Sequence, residues 1–428
     1  MNKFDNSIRI DATITTDDPK FTTAAAALET ELGLSGNKKN IRNQSLAFLI
    51  ASTRQQKFAP NGYIAFGRSP DFYSKLEPNP AGLSTKFVSL IDRADELGLV
   101  SHIAGFRDPN GGSRIARFAP KRGMIDRYIK AYGLIDAQYE KHVTPIEVRT
   151  TTKRLSANVP KKELKALTSE IESYNEFIGK QRITVTDGGG KPTRIAYYDD
   201  CSVYRVFNRR SLDFGGRLYG AFWINLPKVA DAKGAPSRAG IEINGEKTIE
   251  LDLKGQHIWL LYALTGKSYP AKDDPYEVGN YFCQTVKSAF LSAINAKSIE
   301  QAWRATTKKL RADHPVDYEI VADGITTKNG FEELIRQIGQ AHPDIVGYLG
   351  TDIGIKLQRV DSDIAVNVIT RLAKAGIPAL PVHDSFIVQR SKEAALREAI
   401  GLAYQDQGEP YSRGLPPIVR AVAPSKVN

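Results

Sequence analysis

The chain has 428 residues, 41% hydrophobic and 25% charged, the make-up of a soluble globular protein. That is too long for one ordinary core and predicts roughly two to four domains. Its formal net charge of +11 favours a polyanionic partner such as nucleic acid over an acidic small metabolite. Two cysteines, Cys201 and Cys283, exclude a disulfide framework and predict a reducing compartment. There is no apolar run near the ~18 residues of a membrane span. The polar start MNKFDNSIRIDATITTDDPK lacks a signal-peptide pattern and reads as a partly ordered tail. A cytoplasmic protein without a membrane partner is expected.

After a tail over 1–38, residues 41–52 have helical spacing. LSTKFVSLIDRADELGLV (83–100) is a second helix, with Ser84 as N-cap. Its stripe is Leu83, Phe87, Leu90, Ile91, Ala94 and Leu97, and Gly98 ends it. SHIAGFRD, a PNGG turn and SRIARFA then predict a hairpin carrying Arg107, Arg114 and Arg117. Two helices followed by a basic hairpin give the order of a winged helix, expected over 39–140. DNA contact is expected from Lys86, Ser89 and Arg93 on the exposed helix face, and from Arg114 and Arg117 in the wing. Residues 150–182 are charged and helical, and TDGGGKPT makes a turn.

From about residue 200 polar residues stand inside apolar strands. LDFGGRLYGAFW (212–223) places Arg217 after two glycines. TIELDLKGQHIWLLYALTG (248–266) opens as a strand, puts Asp252 at its end and continues as a helix through Ile258, Leu261 and Leu264. YFCQTVKSAFLSAINAKS (281–298) is a helix bearing Lys287. IKLQRVDSDIAVNVITRLAKAG (355–376) is another, carrying Gln358, and LPVHDSFIV (380–388) buries His383 and Asp384 between apolar residues. An ionised carboxylate inside a strand pair is costly unless something pairs with it. Two aspartates at strand ends match a two-metal phosphoryl-transfer site, where Mg²⁺ or Mn²⁺ ions ~3.5–4 Å apart hold the attacking and leaving oxygens. A nearby lysine neutralises a triphosphate. Taken alone, Asp252 also suits a helix N-cap. The six histidines have no zinc-ligand spacing, and no G-x-S-x-G or P-loop is present.

These segments resemble known polymerases. DLKGQHIWLLYALTG is similar to motif A of family A DNA polymerases, the bacterial polymerase I type. VHDSF resembles their motif C, and more closely the His-Asp-Ser form of phage-type single-subunit RNA polymerases. DFGGRLY (213–219) matches the D-x-x-G-R motif of that second group, and LQRVDSDIA looks like the Gln-Gly-Thr-Ala-Ala-Asp-Ile helix of the first. The likeness covers roughly residues 205–395. It implies an α+β fold with a right-hand polymerase palm and fingers over 201–428, a helical thumb-like segment over 141–200 and the winged helix before them.

By that resemblance Asp252 and Asp384 hold two Mg²⁺ or Mn²⁺ ions, with the Leu253 carbonyl assisting. Lys287 grips the incoming triphosphate, Arg217 contacts the nucleic-acid backbone, Gln358 the minor groove and His383 the primer end. Asn295 stands where the families carry a nucleotide-facing aromatic, and Cys283 where they carry an arginine. His257 occupies the sugar-discriminating place: its bulk favours deoxynucleotides, while D-x-x-G-R and His-Asp-Ser favour ribonucleotides. The implied function is template-directed nucleic-acid synthesis from nucleoside triphosphates, leaning to DNA, for replication or priming of a plasmid, phage or integrated element. The alternatives are a small single-subunit RNA polymerase or primase, and a non-catalytic winged-helix replication initiator or regulator.

Overall fold

The computed structural model describes residues 7–58, 61–76, 79–107, 113–142, 144–150, 159–186, 192–193, 201–229, 236–267, 269, 274–411 and 419–421. The fold is mixed α+β. The chain divides into two compact units, Met1–Thr144 with Pro192–Asp200, and Pro145–Lys191 with Cys201–Asn428. One unit edge lies at Thr144/Pro145 and another at Asp200/Cys201, and the 161–179 helix belongs to the second unit.

In the first unit, helices Lys38–Phe58 and Lys86–Glu96 pack on a sheet ordered Ser7–Arg9, Tyr63–Phe66, Ala116–Pro120, Val100–Ile103. The outermost pair, Ser7–Arg9 with Tyr63–Phe66, is parallel and the rest antiparallel. Leu83, Phe87, Leu90, Ile91 and Ala94 are buried as their i, i+3, i+4 spacing predicts, whereas Leu97, expected on the same stripe, is 38% exposed, and Thr85 rather than Ser84 stands at the N-cap. Phe87 joins Phe48, Phe66 and Phe118 in a ring cluster, with Phe48 stacked on Phe118 at 5.5 Å. Lys86, Ser89 and Arg93 are exposed, as expected. Arg93 is nonetheless engaged, donating from Nε to Leu32 O (3.2 Å) and from Nη1 to Glu96 (2.8 Å). Arg117 is half-buried, and the side chains of Arg107 and Arg114 lie outside the described residues.

The expected tail over 1–38 is a correction. Ser7–Arg9 is a strand of the sheet, and helix Pro19–Leu32 buries Phe21, Ala24, Ala25, Leu28 and Leu32 in the core. Its ends are well marked: Asp18 accepts from Lys20 N (2.9 Å), Pro19 sits in the first turn and Gly33 closes it at φ +61°.

The second unit is centred on strand Glu246–Leu253. Its sheet runs Ile183–Thr186, Ile241–Ile243, Glu246–Leu253, Ser385–Gln389, Ala379–Val382, with Val419–Ala421 also pairing with 246–253, all antiparallel. Apolar residues fill its central strands: Leu251, Leu253, Leu380, Phe386, Ile387 and Val388 are buried. Helices Gly354–Lys374 and Glu393–Gln405 pack together, and Lys161–Gly179 packs on 354–374. The buried Tyr174 hydroxyl of that last helix donates to Ala379 O (2.8 Å). A smaller sheet, Gly215–Tyr219, Tyr204–Phe207, Ile146–Val148, also lies against helix 354–374. Helices Cys283–Ile294, Ile299–Asp313 and Lys328–Ala341 form a separate helical cluster. No helix among the described residues is long and apolar enough to cross a membrane.

Candidate active site

The two aspartates meet at one end of the central ladder. Asp252 pairs in register with Ser385, and the next amide, Leu253 N, donates to Asp384 O at 3.1 Å. Asp252 is a strand residue and does not cap the following helix. That helix, Gln256–Thr265, starts from Gly255 at φ +71° without a side-chain cap. A Cβ on Gly255 would stand 2.7 Å from Pro275 Cγ, so both conformation and space demand glycine at this strand-to-helix turn. Asp384 lies at the bend between strands 379–382 and 385–389. His383 beside it has φ +56°, a left-handed conformation that costs a β-carbon residue about 1–2 kcal/mol. Such strain persists where the surroundings dictate it, and it clusters at functional sites.

Burial pushes the Asp252 carboxyl above the usual range, and Asp384 adds to the shift while Lys228 and Lys287 oppose it. Asp384 is also raised, by burial first and by Asp361 next, with Lys287 and Arg217 opposing. Lys287 is exposed on helix 283–294, its Nζ 5.8 Å above the buried Tyr276 ring. His257, in the first turn of the helix after Asp252, is buried, and its Nε2 has no hydrogen-bond partner among the described residues. Burial, Arg217 and Lys287 lower its pKa to about 4, so the ring is neutral at physiological pH. Asp252, Asp384, Lys287, His257, Arg217 and His383 thus lie in one electrostatic neighbourhood, with Leu253 linking the two aspartates through its amide.

Two expected residues stand apart. Asn295 ends helix 283–294, donates to Leu291 O (2.8 Å) and lies so near Gly354 that a Cβ there would be 2.4 Å from Asn295 Oδ1. It is a helix-to-helix contact. Gln358 is half-buried on helix 354–374, and no hydrogen bond or ion pair among the described residues joins it to the carboxylates.

Other groups in this neighbourhood went unforeseen. Asp361, almost fully buried on helix 354–374, pairs with Arg217 at 3.3 Å and faces His383 and Gln256. Gln256 accepts from the buried Tyr404 hydroxyl. Glu250, two residues before Asp252, is clamped by both Nε and Nη2 of Arg238 at 3.1 Å and accepts from Ser385 Oγ at 2.7 Å. Lys228 Nζ lies 3.7 Å from Asp252 Oδ2. A signal for Asp361 was present: it interrupts the apolar stripe Leu357, Ile364, Ala365, Val368 at an i+4 position. Lys228 has no such signal.

The donor set fits a hard divalent ion. Asp252 and Asp384 offer carboxylate oxygens whose mutual repulsion nearby cations relieve only in part. The described residues contain no cluster of three or more ligating side chains. Two carboxylates without a closed cage suit Mg²⁺ or Mn²⁺ held jointly with a substrate's phosphates. No protein-family model matches the chain, and no curated protein matches it.

Proposed function

We propose that the second unit is a template-directed nucleic-acid polymerase of the family A type, with residues 201–428 as palm and fingers. The observation that carries this reading is that Asp252, in register with Ser385, and Asp384, bonded through its carbonyl to Leu253 N, meet at one ladder end, with Lys287 close enough to stabilise both ionised forms. Asp252, Asp384 and the Leu253 carbonyl would hold two Mg²⁺ or Mn²⁺ ions, which when bound align the attacking and leaving oxygens of an in-line displacement. Lys287 neutralises the triphosphate of the incoming nucleotide. Arg217, tethered by Asp361 through Nη2, keeps a 26% exposed side chain with guanidinium donors to spare for a nucleic-acid backbone. His257 fills the sugar-facing place with a bulky neutral ring, the basis for a lean to deoxynucleotides. The capacity of an imidazole to hydrogen-bond a 2′-hydroxyl supports the second reading, ribonucleotide use by a small RNA polymerase or primase.

The first unit is proposed as a winged-helix DNA-binding domain. Helix 38–58, strand 63–66, helices 70–74 and 86–96, then strands 100–103 and 116–120, with 116–120 in the middle of the three, follow the order of that fold. Helix 86–96 would enter the major groove.

The test is primer–template extension with Mg²⁺ and separate dNTP and rNTP pools. Extension with at least one pool is expected. Extension by Asp384→Ala equal to wild type would remove that carboxylate from the mechanism and the reading with it.

A further inference from the structure

Asp252 is approached by a second lysine that neither its position in the chain nor the reading above assigns. Lys228 Nζ is 3.7 Å from Asp252 Oδ2, inside ion-pair range but too long for a hydrogen bond, and its side chain is 44% exposed. The backbone carrying it is fixed to both aspartate-bearing strands. Trp223, fully buried, donates from Nε1 to Pro381 O (3.1 Å), three residues before Asp384. Arg238 donates from Nη1 to Leu226 O (2.9 Å) while the same guanidinium clamps Glu250, two residues before Asp252. Arg238 N and Ala239 N donate to Pro227 O (2.9 Å) and Lys228 O (3.3 Å). The lysine is therefore placed at the carboxylate from a pinned backbone, with a flexible four-carbon stem left to move.

We propose that Lys228 is an exchangeable counter-ion of Asp252, neutralising it in the metal-free protein and turning to the polyphosphate of the bound nucleotide when a divalent ion takes that place. The inference rests on the polymerase reading of the site. An ammonium and a divalent cation repel at one carboxylate oxygen, so ion binding drives Lys228 off. The strongest anion then within a lysine's reach is the phosphate chain of the substrate. Lys228 thus weakens metal binding to the free protein and strengthens nucleotide binding, while Lys287 approaches from the 283–294 helix.

The experiment titrates Mn²⁺ alone into the full chain by calorimetry, for wild type, Lys228→Met, Lys228→Arg and Asp252→Asn. Lys228→Met is expected to bind Mn²⁺ several-fold more tightly than wild type, Lys228→Arg about as wild type, and Asp252→Asn to lose binding. In extension, Lys228→Met is expected to raise the nucleotide KM at least fivefold with kcat within twofold, and Lys228→Arg to restore KM. Mn²⁺ binding that depends on Asp252 but is unchanged or weaker in Lys228→Met overturns this inference alone. Wild-type protein that binds no Mn²⁺ overturns the reading of the site and this inference with it.

Discussion

Asp252 and Ser385 are register partners across the antiparallel ladder, and this pairing sorts three neighbouring carboxylates into different roles. The Ser385 hydroxyl donates to Glu250, which Arg238 also neutralises, so Glu250 is a satisfied structural anion. Asp252 and Asp384 are left as the pair whose burial outweighs the cations facing them, Lys228 and Lys287 for Asp252 and Lys287 and Arg217 for Asp384.

That pair has a stability consequence in the metal-free protein. Both carboxyls have raised folded-state pKa values, so the folded state holds protons more tightly than the unfolded one. Their ionised forms therefore cost stability at neutral pH, and the cost is relieved as pH falls through the raised values. Asp384→Asn removes one charge. Thermal melts in EDTA are expected to show a higher midpoint for Asp384→Asn than for wild type at pH 8, with the gap closing by pH 4. A variant that melts lower across the whole range would sink the argument.

His257 gives the opposite sign. Its folded pKa of about 4 lies below the unfolded value near 6.5, so stability is lost as pH falls through that window. The 2.5-unit gap corresponds to about 3 kcal/mol. His257→Gln is expected to flatten the acid-side decline by that order in urea titrations at pH 7 and pH 4. An unchanged difference between the two pH values would show that the ring is not desolvated as described.

How much of this was readable depends on whether contrast was local. Asp252, Asp384, His383 and His257 interrupt apolar runs, and a polar residue that folding disfavours stands out on any periodicity plot. Asp361 does the same within a helix, whereas Gln358 stands out only by its fit to the resembled motif. Lys228 was unreadable because its place depends on Trp223 and Arg238 reaching strands far along the chain. Helix 19–32 escapes a periodicity reading because alanine stands on both of its faces, buried at 24 and 25 and exposed at 26, which weakens the hydropathy contrast with Phe21, Leu28 and Leu32. Asn295 takes its expected place from the family resemblance alone, whereas the helix ends there and the residue turns to Gly354.

Arg205 shows how Arg217 is held. Its guanidinium, 1% exposed, donates to Gly216 O (2.9 Å), Ser362 Oγ (2.8 Å) and Asp363 (2.7 Å) and lies over Phe207. Asp363 is 30% exposed and keeps Arg359 as a partner, so Arg205→Met is expected to cost about 1–3 kcal/mol, the worth of leaving the buried Gly216 O and Ser362 Oγ without their donor. Gly216 is bound to the same network: at φ +87°, a Cβ would stand 2.9 Å from Arg205 Nη2 and from Phe207 Cε1. Gly216→Ala should destabilise less than Arg205→Met but displace the adjacent Arg217. Its expected signature is a raised KM for primer–template with nucleotide KM nearly unchanged. Equal loss in both constants would place Arg217 elsewhere.

Lys86 and Arg93 separate DNA contact from folding in the first unit. Both are exposed on helix 86–96, but only Arg93 has its guanidinium tied down, to Leu32 O and Glu96. If Lys86 neutralises one phosphate, Lys86→Ala should weaken duplex binding uniformly across sequences and lower the slope of log affinity against log salt by about one. Its melting midpoint should not move. Arg93→Ala should do less to the salt slope and cost roughly 0.5–1 kcal/mol of stability, the worth of an exposed ion pair and one hydrogen bond. Fluorescence anisotropy from 50 to 300 mM salt, alongside thermal melts, distinguishes the two. A flat salt dependence for wild type would mean that the positive charge of this helix serves something other than nucleic acid.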